Sequence, residues 1–221
     1  MPMALPGPLK FHLIDDALLV LDKPTGLLCV PGRGEDKQDC LSSRVQAQYP
    51  DALIVHRLDM ATSGLLLMGR GAAAQRMLSL AFAGRHVHKQ YTAVVHGLVA
   101  ETPDASNGWG LIDLPIAADW PRRPLRIIDA ALGKPSQTRW RIESQDSVAR
   151  TTRLLLEPLT GRTHQLRVHL RALGHPILGD ALYGADMPQA QPGRLQLHAS
   201  ALGFAHPVTG EPLHFTSPAP F

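Results

Sequence analysis

Asp59 stands between Arg57 and the turn Thr62-Ser63-Gly64, directly ahead of the apolar run Leu65-Leu66-Leu67-Met68. Thr, Ser and Gly break regular structure through side-chain-to-backbone hydrogen bonds and free dihedrals. The carboxylate is therefore expected on a tight loop beside a buried strand. A carboxylate set against a core needs a cation or hydrogen-bond donors to stay ionised, and that is the setting of a working acid, base or nucleophile. The plain alternative is an ion pair that closes a turn. Hydrolysis of a glycosidic bond normally uses a second acid nearby, and no paired carboxylate accompanies Asp59 in the sequence.

Residues 164–173 carry the other concentrated chemistry. On a helix, His164, Arg167 and Arg171 fall at i, i+3 and i+7 and share one face, so Arg167 is a candidate to hold Asp59 charged and oriented. The plain alternative is a solvated, basic helix face. His164 and His169, five residues apart, are turned by about 140° from one another and do not form a metal-ligand pair, so no metal is expected. Trp120-Pro121-Arg122-Arg123-Pro124-Leu125-Arg126 combines an aromatic with three arginines in a stretch too rich in proline for regular structure. That composition suits a rigid loop gripping phosphates beside a stacking surface; a merely exposed loop is the alternative. Gly32-Arg33-Gly34 lacks the third glycine of a dinucleotide loop. His56-Arg57-Leu58-Asp59 has neither the glycine-rich loop nor the Asp-Phe-Gly that a kinase would add. Asp180, in a Gly-Asp turn, reads as a structural cap.

The elements that must position these residues follow from periodicity. Strands are expected at 16–22, 65–69, 90–95, 137–142, 150–157, 195–199, 202–205 and 212–216. Helices are expected at 41–49, stopped by Pro50, at 72–82, and at 164–173, with Thr163 as N-cap and Gly174 past the end. Residues 31–39, 101–110 and 119–126 read as loops. Strands outnumber helices and do not alternate with them, which argues an α+β fold with a mixed, largely antiparallel sheet.

The 221 residues are read as a single domain, 44% hydrophobic and 19% charged, which is ordinary for a globular chain. No apolar run is long enough for a membrane helix, and residues 1–8 lack the basic and apolar regions of a secretory signal. Cys29 and Cys40 suit a reduced, cytoplasmic chain better than a disulfide framework. Of 22 basic residues, 17 are Arg and 5 Lys. Arginine's planar fork suits phosphates and bases, so an RNA partner fits, although a GC-rich coding sequence also inflates Arg.

The string His56-Arg57-Leu58-Asp59-x-x-Thr62-Ser63-Gly64 resembles the catalytic signature of the RluA family of RNA pseudouridine synthases. Four further segments resemble that family in order: Lys89-Gln90-Tyr91; Gly161-Arg162-Thr163-His164-Gln165-Leu166-Arg167; Gly174-His175-Pro176 to Gly179-Asp180 with Tyr183-Gly184; and Leu197-His198-Ala199 with His206-Pro207 to Gly210-Glu211. The segment from Asp113-Leu114-Pro115-Ile116 to Asp119-Trp120-Pro121, and the lack of an RNA-binding extension ahead of residue 1, resemble the branch that acts on both 23S ribosomal RNA and an anticodon-loop uridine of tRNA. The resemblance implies a bent central sheet flanked by helices and loops, with Asp59, Tyr91 and Arg167 as catalytic residues. It implies that Tyr91 packs on the target base and that Arg57 fills the space left by the flipped uridine. Arg162, His164, Trp120, Arg122, Arg123 and Arg126 are the further candidate RNA contacts. Structured RNA is the expected partner, with no cofactor, no membrane and no DNA, and a monomer is expected. Three roles are open to Asp59: attack at C1′, addition to the base, or removal of a sugar proton.

Overall fold

Two unbroken apolar runs, Leu18-Leu19-Val20-Leu21 and Leu65-Leu66-Leu67-Met68, call for strands covered on both faces. In the computed structural model, which describes residues 9–100, 108–184 and 193–221, they form the centre of the first of two compact units, and all eight side chains are buried. That unit comprises Met1–His88 and Ala199–Pro220. Its strands are β1 (Lys10–Ile14), β2 (Leu18–Lys23), β3 (Ala52–Ile54), β4 (Ser63–Arg70) and, from residue 199 on, β11 (Leu197–Ala205) with β12 (Pro212–Thr216). The pairs β1–β2, β2–β4, β3–β4 and β11–β12 are antiparallel. Helix α1 (Leu41–Gln46) follows a 3-10 turn over residues 35–37, within the polar loop expected there. Helix α2 (Gly71–Ala83) buries Ala74 and Leu78 and packs Ala81 and Phe82 on a core of Leu18, Val20, Leu65, Leu67, Leu202 and Phe204. This is the one-face spacing of an amphipathic helix.

The second unit, Lys89–His198 with Phe221, is a sheet of β5 (His88–His96), β10 (Thr151–Pro158), β9 (Gln137–Asp146) and β6 (Gly110–Asp113), every pair antiparallel. Tyr91, Leu156 and Trp140 lie opposite one another across three strands and so share one face, on which Ala93 and Leu154 are also buried. A separate hairpin, β7 (Ile116–Ala118) with β8 (Arg126–Ile128), carries the 119–125 loop. Helix α3 (Gln165–Ala172) meets this hairpin at Ile116, Val168 and Tyr183, with Leu125 and Ile128 packed against them. Among the described residues no helix is long and apolar enough to cross a membrane.

Most expected elements are present, with three corrections. The strands expected at 195–199 and 202–205 are one, β11. The N-cap of α3 is His164, in the left-handed conformation at φ 57°, and not Thr163. The helix buries all six residues from Gln165 to Leu170, so it has no broad solvated face, while Gly174 does follow its end with φ 83°. Short strands β1, β3, β6, β7 and β8 were not expected. The readings for residues 1–8 and for 101–107 of the expected 101–110 loop lie outside the described residues.

Candidate active site

Asp59 follows the buried Leu58 on an irregular stretch and closes a turn through its carbonyl, which accepts from the Thr62 amide at 3.1 Å. The turn feeds β4 through Gly64, whose φ of 108° and tight approach to the Ala199 backbone leave no room for a Cβ. The last residue of β2 and the segment after it, residues 23–29, fasten the backbone on both sides of the carboxylate. Cys29 grips Leu58 twice: its thiol donates to the Leu58 carbonyl at 3.2 Å, and its sulfur accepts from the Leu58 amide at 3.3 Å. Lys23, 1% exposed, donates to the carbonyls of Met60, Leu27 and Pro24 at 3.0, 2.8 and 2.8 Å. The Gly26 amide also donates to Met60 and the Thr25 hydroxyl to Ala61. A buried ammonium needs acceptors for its protons, and these carbonyls supply them.

Burial pushes the Cys29 thiol above its ordinary pKa and Asp59 adds to the push, while Lys23 and Arg57 oppose it. A protonated thiol is what the geometry needs, since a thiolate could not donate to Leu58. Asp59 is half-buried, and Arg57 beside it is exposed. His56 is tied down from both sides, accepting the Leu67 amide at 3.0 Å and stacking on Phe82 at 4.4 Å. The expected tight loop beside a buried strand is present.

In the second unit Arg167 is 5% exposed, and its fork closes on Asp180 through Nε at 2.7 Å and Nη2 at 2.6 Å. Asp180 also accepts the Leu182 and Tyr183 amides, so it is the cap expected of it and, in addition, the partner of Arg167. The stripe is a true face: His164, Arg167 and Arg171 all meet Tyr183. It is packed against the 180–183 turn, with Arg167 buried there and Arg171 exposed, so the solvated face considered as the alternative holds at Arg171 and not at Arg167. The turn before α3 is held by Gln165, which uses its whole amide. Its oxygen accepts from Thr160 and the Arg162 amide, and its nitrogen donates to Gln137 and Thr138. His169 receives the Thr138 hydroxyl on Nδ1 and donates from Nε2 to the Leu114 carbonyl; burial pushes its pKa down, in keeping with a neutral ring. Both histidines of the stretch are thus engaged within the protein, neither with the other. Arg162 is exposed, its side chain reaching the Pro135 carbonyl.

The arginine-rich loop lies at the tip of the β7–β8 hairpin. Asp119, itself buried, accepts the Arg122 guanidinium at 2.7 Å, so Arg122 already has a counter-charge. Arg123 stacks over Trp120 at 3.6 Å, and the indole is 69% exposed. Arg126 is half-buried at the foot of the loop. Tyr91 is half-buried on β5. Sequence reading missed Lys23, Cys29, Gln165 and Tyr183 as residues that position others. The one local signal for Lys23 is its place in the Lys23-Pro24-Thr25-Gly26 turn directly after an apolar strand.

The RNA pseudouridylate synthase family profile matches residues 17–172, a span holding Asp59, Tyr91 and Arg167. The chain is 45% identical over 207 residues to the dual-specificity RNA pseudouridine synthase RluA of Escherichia coli K12, covering 94% of this chain and 91% of that protein. RluA of Yersinia pestis is also 45% identical, with 94% and 97% covered, and RluA of Vibrio parahaemolyticus 46% over 196 residues, with 87% and 76% covered. Among solved structures, human RNA pseudouridylate synthase domain containing 1 superposes with a TM-score of 0.78 at 30% identity, covering 98% of this chain and 87% of that one. Profile, sequence and structure agree that the chain belongs to the RNA pseudouridylate synthase family and is an RNA-modifying isomerase.

Proposed function

We propose that this enzyme converts particular uridines of both 23S ribosomal RNA and the tRNA anticodon loop to pseudouridine, with Asp59 as the essential carboxylate and Tyr91 and Arg167 working with it. The observation that carries the dual target is the 45% identity over 94% of the chain to relatives described as dual-specificity. The clamped loop around Asp59 supports the choice of carboxylate, because a group that meets a bond-breaking centre gains from a fixed backbone.

The reaction breaks N1–C1′, turns the detached base and joins C5 to C1′; the C5 proton leaves and N1 takes one up, so no atoms are gained or lost overall. Each of the three roles open to Asp59 needs a carboxylate. Arg167, held by Asp180, acts as the supporting cation, and Tyr91 offers an aromatic face to the turned-out base, with a hydroxyl for C5 deprotonation. Arg57, exposed beside Asp59, takes the place of the flipped uridine. Trp120 and Arg123 offer a stacking platform, with Arg122, Arg126, Arg162 and His164 as further RNA contacts. The working form is the single chain, a monomer. It acts in the cytoplasm, where its RNA partners are, and not on DNA or a membrane.

Mapping pseudouridines in total RNA from a strain lacking the protein tests this. Sites in both 23S rRNA and tRNA should disappear and return with the wild-type gene. Loss from one RNA class alone would overturn the dual specificity.

A further inference from the structure

Tyr183 is 4% exposed and joins three pieces of the second unit. Its hydroxyl accepts the Arg126 amide of the hairpin at 2.9 Å and meets His164 Nδ1 at 2.7 Å. The hydroxyl thus joins the hairpin backbone to the His164 ring through one hydrogen bond on each side. The phenol ring lies edge-on to His164 and beneath the Arg167 guanidinium, 5.0 Å from its centroid. The Tyr183 amide donates at 3.1 Å to Asp180 Oδ1, the same atom that receives Arg167 Nη2. The hairpin carrying Trp120 and Arg123 is therefore keyed to the face of α3 that presents Arg167.

We propose that the Tyr183 hydroxyl is a positioning group that registers the hairpin against α3, so that RNA held by the hairpin and the orientation of Arg167 are one coupled event. The proposal rests on the reading that the hairpin grips RNA and that Arg167 serves the reaction. Packing alone asks for less than a tyrosine. A phenylalanine would fill the apolar cluster with Ile116 and Val168 and still offer its face to Arg167. What the hydroxyl adds is a bond to each of two elements. His164 supports the same view: it holds a left-handed backbone conformation uncommon for a side-chain-bearing residue, at the point where this link enters the helix.

The test is a double-mutant cycle between Arg123→Ala and Tyr183→Phe. An unmodified tRNA anticodon stem-loop transcript is the probe, with RNA affinity and the saturated single-turnover rate measured separately. In the parent, Arg123→Ala should weaken binding and also slow the saturated rate. Tyr183→Phe alone should slow the saturated rate by roughly tenfold, the scale of one or two lost hydrogen bonds. In the Tyr183→Phe background, Arg123→Ala should weaken binding only. If Arg123→Ala weakens binding in both backgrounds but its effect on the saturated rate is the same in both, or nil, the coupling is overturned while the hairpin remains an RNA grip. If Arg123→Ala leaves affinity untouched in the parent, the hairpin reading falls and takes this proposal with it. His164→Asn cuts the same link from the helix side with a residue that tolerates the left-handed conformation, and it must reproduce the loss of coupling. Should Tyr183→Phe fail to fold, the His164→Asn cycle separates the same outcomes.

Discussion

The backbone on each side of Asp59 is held by groups that no local pattern reveals. Lys23 reaches Met60 across 37 positions and Cys29 reaches Leu58 across 29. Cys29→Ala would leave a buried amide and carbonyl of Leu58 without these partners, at a cost of about 1–3 kcal/mol. Its saturated rate should fall more than its RNA affinity, because of the proposed RNA contacts only Arg57 shares the loosened backbone with Asp59. Cys29→Ser offers a donor and an acceptor at the same place and should restore the rate. Thermal unfolding and single-turnover assays of the two variants check this; equal rates for Cys29→Ala and the parent would show that the grip does not position Asp59. The sequence made Asp59 legible because its neighbours Arg57 and Thr62-Ser63-Gly64 are local. It did not reveal Asp180 as the partner of Arg167, because that pairing spans 13 residues and a turn whose path a pattern cannot trace.

Elements were legible in proportion to how far their own side chains are periodic. The runs at β2 and β4 and the spacing in α2 announce themselves, whereas β3, β7 and β8 are three residues each and exist only because a partner strand supplies their hydrogen bonds. Helix α3 was visible, but its burial was not, since an Arg and a His inside a core look like surface residues until Asp180 and Thr138 are seen beside them. That burial gives the helix a pH signature. His169 has its pKa pushed below the ordinary value by desolvation, and His96 in the same unit likewise. The unfolded chain then binds protons that the folded chain refuses. Stability is fully present above the ordinary imidazole value of about 6.5 and declines as pH falls from there toward the lowered folded values. Melting temperature measured from pH 7.5 downward should fall over this window, and His169→Gln should flatten the fall. An unchanged slope in that variant would mean the ring is not held neutral.

The hairpin makes a second prediction at this scale. Each phosphate contact contributes roughly 0.7 to 0.9 to the slope of log affinity against log salt. Arg123→Ala should remove about one such increment. Arg122→Ala should remove less, since Asp119 already matches its charge. A salt series giving the two variants the same slope, equal to that of the parent, would remove the loop from the phosphate contacts.

For the whole molecule, composition said little beyond a globular chain with an arginine excess, and the placement of those arginines carries more. Several are committed to internal partners: Arg167 to Asp180, Arg70 to Asp51, Arg153 to Glu143 and Arg139 to Glu157. The count of 22 basic residues therefore overstates how many unpaired charges an RNA can meet. On the proposed mechanism, the Asp59 carboxylate in the first unit is the group without which the isomerisation fails. Asp59→Asn changes charge but hardly shape, so the fold and RNA affinity should persist. The decisive measurement is pseudouridine formed under single-turnover conditions by purified Asp59→Asn with saturating enzyme, alongside its RNA binding. Binding should stay within a few-fold of the parent, and no product should form over times at which the parent converts all of its substrate. Product accumulating at a measurable fraction of the parent rate would contradict the assignment of Asp59 as the essential carboxylate.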